Sequence, residues 1–165
     1  MVALNVAVFA AVAILAGGGD PSPGSPAARL ADAVVNAAPA DDPFSELTET
    51  RLKIGKSRVN AVVTDEPGER SQGMRERETM GDYDVMLFAY TEPTTTSFTM
   101  STVPVALDIS WYDADGRLVS RTRMEPCAGT EDECLLYAAV GPFQYAVEAL
   151  AGELPRGRLR APRLE

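Results

Sequence analysis

Between Leu52 and Leu150 the apolar residues arrive in short runs, several with a period of two, which commits most of the chain to β-strands. Leu52 and Ile54, then Val59, Ala61 and Val63, put apolar side chains on one face and leave the other wet. Further runs lie at Val85 to Tyr90, Thr96 to Met100 and Val105 to Tyr112, the last offering alternate members of Val105, Leu107, Ile109 and Trp111 to a core. Asp113-Ala114-Asp115-Gly116 reads as a hairpin turn in which Gly116 supplies the positive φ, and Leu118 to Met124 returns as the partner strand. Leu135 to Val140 is a short strand or turn, and Phe143 to Leu150 fits helix or strand, with the Gly-Pro and Ala-Gly boundaries favouring a strand. One helix interrupts this pattern: Thr64 or Asp65 caps it, Pro67 stands near its first position, and Glu66 faces the free amides. The expected fold is mainly β, a small antiparallel barrel-like domain with one short helix, closure being the way to remove exposed edges.

Ahead of this region Val2 to Ala16 is almost entirely apolar, and it gives way to Gly17–Gly19, Asp20 and prolines. Its length suits the apolar part of a secretory signal, although no lysine or arginine precedes it. The run falls short of the roughly 20 apolar residues of a spanning helix, and Gly17 to Gly19 extend it only to a marginal anchor. No cysteine follows it to accept a lipid. Residues 1–19 therefore read as a signal peptide or N-terminal anchor, which places the domain outside the cytoplasm, secreted or held at the membrane. Residues 20–45, rich in Pro, Ala, Ser, Gly and Asp, read as a flexible linker, and residues 46–155 as the folded domain. Residues 156–165 read as a basic, disordered tail carrying Arg156, Arg158, Arg160 and Arg163.

The formal charge of −9 argues against nucleic acid as a partner, because phosphate binding draws its affinity from Lys and Arg. Membrane contact is expected only through the N-terminal anchor, with the tail touching anionic lipid or an acidic partner as the alternative to a solvated end. The chain is expected to be a monomer.

The middle of the chain carries an ordered set of motifs. They are ERSQGMRER from Glu69 to Arg77, MLFAY from Met86 to Tyr90, SFTM from Ser97 to Met100 and VALDISWYDADGRLV from Val105 to Val119. MEPC ending at Cys127, CLLY from Cys134 to Tyr137 and YAVEALAG from Tyr145 to Gly152 complete it. Together they resemble the DUF192 family, also called UPF0127, from about Ile54 to Pro155. The resemblance implies a small, commonly exported, mainly β domain with one helix, and implies no catalytic activity, substrate or cofactor. Many members carry tryptophan, lysine and asparagine around the stretch SFTMST, where this chain has Thr99, Ser101 and Thr102, and the proline before the Leu-Asp pair is displaced to Pro104.

Asp108 stands in an otherwise apolar strand, and burying a carboxylate costs several kcal/mol unless it is paired. With Glu69, Arg70, Arg75 and Arg77 it is the candidate polar centre, either an internal ion pair or a ligand-binding charge; acid–base work lacks an obvious second carboxylate. Met74, Met86, Met100 and Met124, with the cysteines, invite a copper(I) reading, against which stands ordinary core packing. The chain has no histidine, so neither a zinc site nor a serine or cysteine nucleophile with its base can be assembled, and no metal or cofactor is expected. Cys127 and Cys134, the only cysteines, are too far apart for a two-residue redox motif and in an exported chain read as a disulfide, which for so short a loop contributes about 2 to 3 kcal/mol. Tyr112, Tyr137 and Tyr145 line a groove for sugar or peptide, or else belong to the core or its rim.

The leading expectation is an exported or membrane-tethered domain that binds an envelope protein, a peptide or a small ligand without catalysis, through a shallow cleft near the cysteine loop. Its candidate contacts are Arg70, Arg75, Met100, Asp108 and Tyr145. The alternative is an envelope enzyme or copper-handling protein using Asp108, arginines and Met or Cys sulfur. A pocket converging on Asp108 and Arg75 would favour the alternative, and their direct pairing in a filled core would remove it.

Overall fold

In this computed structural model, which describes residues 21–162, the chain folds as α1 (Pro26–Val35), β1 (Ala38–Pro39), β2 (Thr48–Ile54), β3 (Ser57–Thr64), α2 (Pro67–Gln72), β4 (Val85–Thr94), β5 (Phe98–Thr99), β6 (Leu107–Tyr112), β7 (Leu118–Met124), β8 (Leu136–Tyr137), β9 (Phe143–Leu150) and β10 (Leu159–Arg160). Eight strands make one sheet in the order β1–β2–β3–β4–β9–β6–β7, with β10 pairing the other end of the β2 edge from β1. Neighbours are antiparallel except β3 and β4, which run parallel and are joined through α2. β5 and β8 form a separate two-stranded ribbon.

The sheet is open. β7 ends it on one side, β1 and β10 on the other, and the two edges do not pair, so the expected antiparallel barrel is overturned. One strand pair is parallel and there are two helices among the described residues, where one was expected. The β2 edge is taken up by the short β1 and β10 and the other edge is left to β7, while β9 inserts between β4 and β6 in place of a hairpin-by-hairpin succession. Strand periodicity records which residues face a core and carries no information about which strands become neighbours.

β6 is buried along its length, and β3, β4 and β9 have long stretches buried on both faces, which is why β4 opens as the unbroken apolar run VMLFA. On one face Val62, Met86, Phe88, Ile109 and Trp111 pack beneath Met74, Met80, Tyr83 and the β5–β8 ribbon. On the other, Leu52, Val59, Leu87, Tyr145 and Val147 pack against Leu30 of α1 and Leu159 of β10.

Both ends of the domain are longer than the sequence pattern indicates. Within residues 20–45, read as a flexible linker, the Ser25 side chain accepts the Ala28 amide at 3.1 Å to cap α1, and Leu30 and Phe44 are fully buried. Within residues 156–165, read as a disordered tail, Leu159 and Arg160 pair with Ile54 and Lys53. The turn glycines Gly55 and Gly116, both at positive φ, admit this segment: a Cβ on either would collide with the carbonyl of Arg156 or Leu159 respectively. The signal or anchor read over residues 1–19 lies outside the described residues. Among the described residues no helix is long and apolar enough to cross a membrane.

Candidate binding cavity

α2 and the turn after it set one wall of a cavity. Pro67 occupies the first turn and Glu66, one residue beyond the expected Thr64 or Asp65, is the N-cap; the Glu69 carboxylate accepts the amides of Asp65 and Glu66 at 3.1 Å each. So placed, Arg70 donates through Nη1 to the carbonyls of Asp65 and, at 3.0 Å, of Ala89, and its guanidinium lies 4.7 Å from the Tyr90 ring centroid. Arg75 donates to the carbonyls of Ser71 and Ser101 at 2.9 Å each and pairs with Glu131.

Glu131 belongs to the opposite wall, the loop closed by the Cys127–Cys134 disulfide, whose α-carbons are 5.9 Å apart. That loop is held to the segment after β5: the Ser101 hydroxyl donates to the Gly129 carbonyl at 2.8 Å, and the Thr102 amide to the Cys127 carbonyl at 2.9 Å. Thr102 itself sits at φ 60°, unusual for a β-branched residue.

Between these walls is a cavity of about 370 Å³, lined by Met74, Phe88, Phe98, Met100, Leu107 and Glu148 and rimmed by Arg70, Tyr90, Thr99 and Arg75. Glu148 stands on β9 opposite Met86 of β4 and Ile109 of β6 and is 4 % exposed. Among the described residues no hydrogen bond reaches its carboxyl, and burial pushes its pKa up to about 8. At neutral pH it is therefore an uncharged acid with a proton to donate. The Tyr90 hydroxyl is raised by burial, with the Arg70 charge pulling it down and Glu148 pushing it up, which places Tyr90 in the electrostatic reach of both.

The structure brings Arg70, Arg75 and Met100 together at this cavity and leaves Asp108 and Tyr145 elsewhere. Asp108 accepts from Arg123 Nε at 3.0 Å and the Gly152 amide at 2.8 Å, with Arg121 at 3.9 Å. Burial alone would raise its pKa; the Arg123 hydrogen bond, the Gly152 amide and the two arginine charges outweigh burial and hold it below the ordinary carboxylate value. It is an ion pair that ties β6 to β7 and to the turn after β9. Arg75 and Asp108 neither converge on one pocket nor pair, so both outcomes posed for them fail.

Tyr145 lies on the other face of the sheet with Tyr112, and burial pushes its pKa up to about 12. Tyr137 packs against the cavity-side core and accepts the Glu125 amide at 3.1 Å. Arg77 pairs with Glu46 and donates to the Pro43 carbonyl at 2.6 Å. Met74, Met86, Met100 and Met124 are all buried in the same core, Met74 and Met100 also lining the cavity. Both cysteines are oxidised, and among the described residues no three His, Cys, Asp or Glu side chains are grouped to hold a metal.

Glu148 escaped the sequence reading, although its signal is the one that singled out Asp108: an acid between Val147 and Ala149 in an apolar strand.

Comparison with known proteins bears on the fold. The family model DUF192, described as Uncharacterized ACR, matches residues 50–161. No curated protein matches the chain. The crystal structure of a protein of unknown function from Novosphingobium aromaticivorans is similar at 22 % identity and a TM-score of 0.60, covering 78 % of this chain and 96 % of that one. A second crystal structure, from Sinorhizobium meliloti and described there as a proposed transcription regulator, is similar at 21 % identity and a TM-score of 0.59, covering 69 % of this chain and 94 % of that one. At these identities the likeness is one of fold.

Proposed function

The chain belongs to the DUF192 family, and from that starting point we propose that it is a non-catalytic binding domain, exported or tethered at the membrane, whose cavity beside α2 takes a small neutral ligand or a peptide side chain. The observation that carries this reading is Glu148, a buried carboxyl that no hydrogen bond reaches among the described residues, facing a cavity otherwise walled by Phe88, Phe98, Met74, Met100 and Leu107. Desolvating a polar group is unfavourable unless something satisfies it, and a ligand carbonyl or hydroxyl accepting the Glu148 proton does so. The apolar walls suit an aliphatic or aromatic body. The disulfide supports an oxidising compartment, and it stiffens the wall that carries Glu131.

The test is an NMR titration of the full chain with a panel of N-acetyl amino-acid amides, small molecules that combine an apolar side chain with carbonyl acceptors. Shifts at the amides of Gly73, Ser97 and Thr99 are expected for the members that fit. Thr99→Trp, which fills the cavity from its rim, should abolish them. Shifts that survive Thr99→Trp, or that map to the face carrying Tyr145, would defeat the proposal.

A further inference from the structure

Away from the residues that line the cavity beside α2, a groove of about 1030 Å³ is lined, among the described residues, by six cations and no acid: Arg29 of α1, Arg51 and Lys53 of β2, Arg58 of β3, and Arg158 and Arg160 of the C-terminal segment. Strand register makes this arrangement costly to the fold. Arg160 stands directly opposite Lys53, Lys53 directly opposite Arg58, and Arg51 opposite Asn60. Like charges at directly opposed positions repel, and among the described residues none of the six takes part in a salt bridge. All this occurs in a chain with 24 acidic residues against 15 basic ones. Guarding an exposed sheet edge is a common reason for lysine on a strand, but it does not account for this row. Arg58 lies on an inner strand, and the edge beside Lys53 is already covered by β10.

The neighbouring sequence says what such a row faces. Pro26 and Arg29, at the start of α1, line the groove, and only residues 17–25 separate α1 from the apolar run Val2–Ala16. Nine residues span at most about 30 Å when fully extended, so a run seated in a bilayer would hold the groove within reach of the headgroups. That run is too short to be a strong anchor by itself, and a weak anchor becomes stable when a cationic patch supplies a second attraction.

We propose that the groove formed by Arg29, Arg51, Lys53, Arg58, Arg158 and Arg160 is a docking surface for anionic phospholipid headgroups, laying the domain against the membrane that the N-terminal run enters. The proposal is independent of the cavity beside α2. It converts the repulsion within the row into attraction, because each lysine or arginine held near an anionic surface contributes about 1 kcal/mol.

The experiment is vesicle co-sedimentation of the full chain, using phosphatidylcholine alone and phosphatidylcholine mixed with phosphatidylglycerol, for the wild type and for Arg51→Gln/Lys53→Gln/Arg58→Gln. Binding to phosphatidylcholine alone reports the apolar run and should be equal for both proteins. Phosphatidylglycerol should strengthen wild-type binding, with an increment that salt weakens, and the triple substitution should reduce that increment on the order of a hundredfold. The triple variant should melt at or above the wild-type temperature, since the substitutions remove charges that repel across the strand pairs, so a loss of binding cannot be laid to unfolding. Equal binding to the two vesicle types, or an unchanged increment in the triple variant, would overturn the proposal. So would release of the wild type by glycerol phosphate at low millimolar concentration, which would identify a soluble phosphate as the ligand, or a preference for duplex DNA over the vesicles.

Discussion

Replacing Glu148 by Gln keeps the shape of the side chain and removes its titration, and the consequence can be worked out from its surroundings. In the unfolded chain the carboxyl ionises near its ordinary value of 4.5, while in the folded chain burial keeps it protonated up to about 8. Between those values the folded state binds a proton that the unfolded state has released, so stability falls as pH rises and levels off above about pH 8. At about 1.4 kcal/mol per pH unit, the full interval sets an upper figure of about 5 kcal/mol, of which about 3 kcal/mol is lost by pH 7. Asp108 acts in the opposite sense and in a different window. Its folded pKa is depressed, so its contribution is present above the ordinary carboxylate range and is lost as pH falls through its folded value. The chain has no histidine to obscure the interval between the two.

Urea denaturation of the wild type and Glu148→Gln, repeated at half-unit steps from pH 5 to pH 8.5, isolates the effect. The two proteins should differ least at pH 5, where both side chains are neutral in the folded state and the linkage loss has only begun. The wild type should then lose stability steadily while the variant stays flat, leaving Glu148→Gln the more stable protein at pH 7.5. Parallel curves across the whole range would show that Glu148 ionises normally in the folded state, and would remove the uncharged buried acid on which the cavity reading depends.

Thr102→Asn replaces an exposed β-branched residue at φ 60° with one that tolerates that conformation, and should stabilise by about 1 kcal/mol, raising Tm by roughly 3 °C. Gly116→Ala, at φ 75° and with its new Cβ against the Leu159 carbonyl, should destabilise by about 2 to 3 kcal/mol. Hydrogen exchange should also show the Leu159 amide, which donates to the Gly116 carbonyl at 2.9 Å, losing protection; a protected amide in a stable variant would show that β10 is not held there. The double substitution Cys127→Ser/Cys134→Ser opens a loop spanning a seven-residue separation and should cost about 2 to 3 kcal/mol in urea, together with weaker binding of any cavity ligand; unchanged stability would mean that the contacts of Ser101 and Thr102 hold the loop unaided.

Most elements from β2 to β9 and one wall of the cavity were legible in the sequence because their causes are local, whereas α1 and β10 were not. Alternation marks β2, consecutive apolar residues mark β4, Pro67 opens α2, Asp-Ala-Asp-Gly makes the β6–β7 turn, and the ordered motifs place the chain in its family. Arg70, Arg75 and Met100 were within reach for the same reason, since they belong to motifs around α2 and β5. The choice of strand neighbours was not legible. The insertion of β9 between β4 and β6 brings Glu148 to the cavity, yet the pattern of β9 says only that it has a core on both sides. Asp108 and Glu148 look alike in sequence, each an acid in an apolar strand. They part only in three dimensions, where Arg123 and the Gly152 amide, 15 and 44 residues away, reach Asp108 and nothing in the described chain reaches Glu148. The same holds for the C-terminal segment, which looks solvated until Gly55 and Gly116 leave room for its backbone to pair with β2 and complete the cationic row. Periodicity, caps and turns act over a few residues and can be read directly; pairing, edge formation and the partners of buried charge depend on which distant segments meet, and only the tertiary structure decides that.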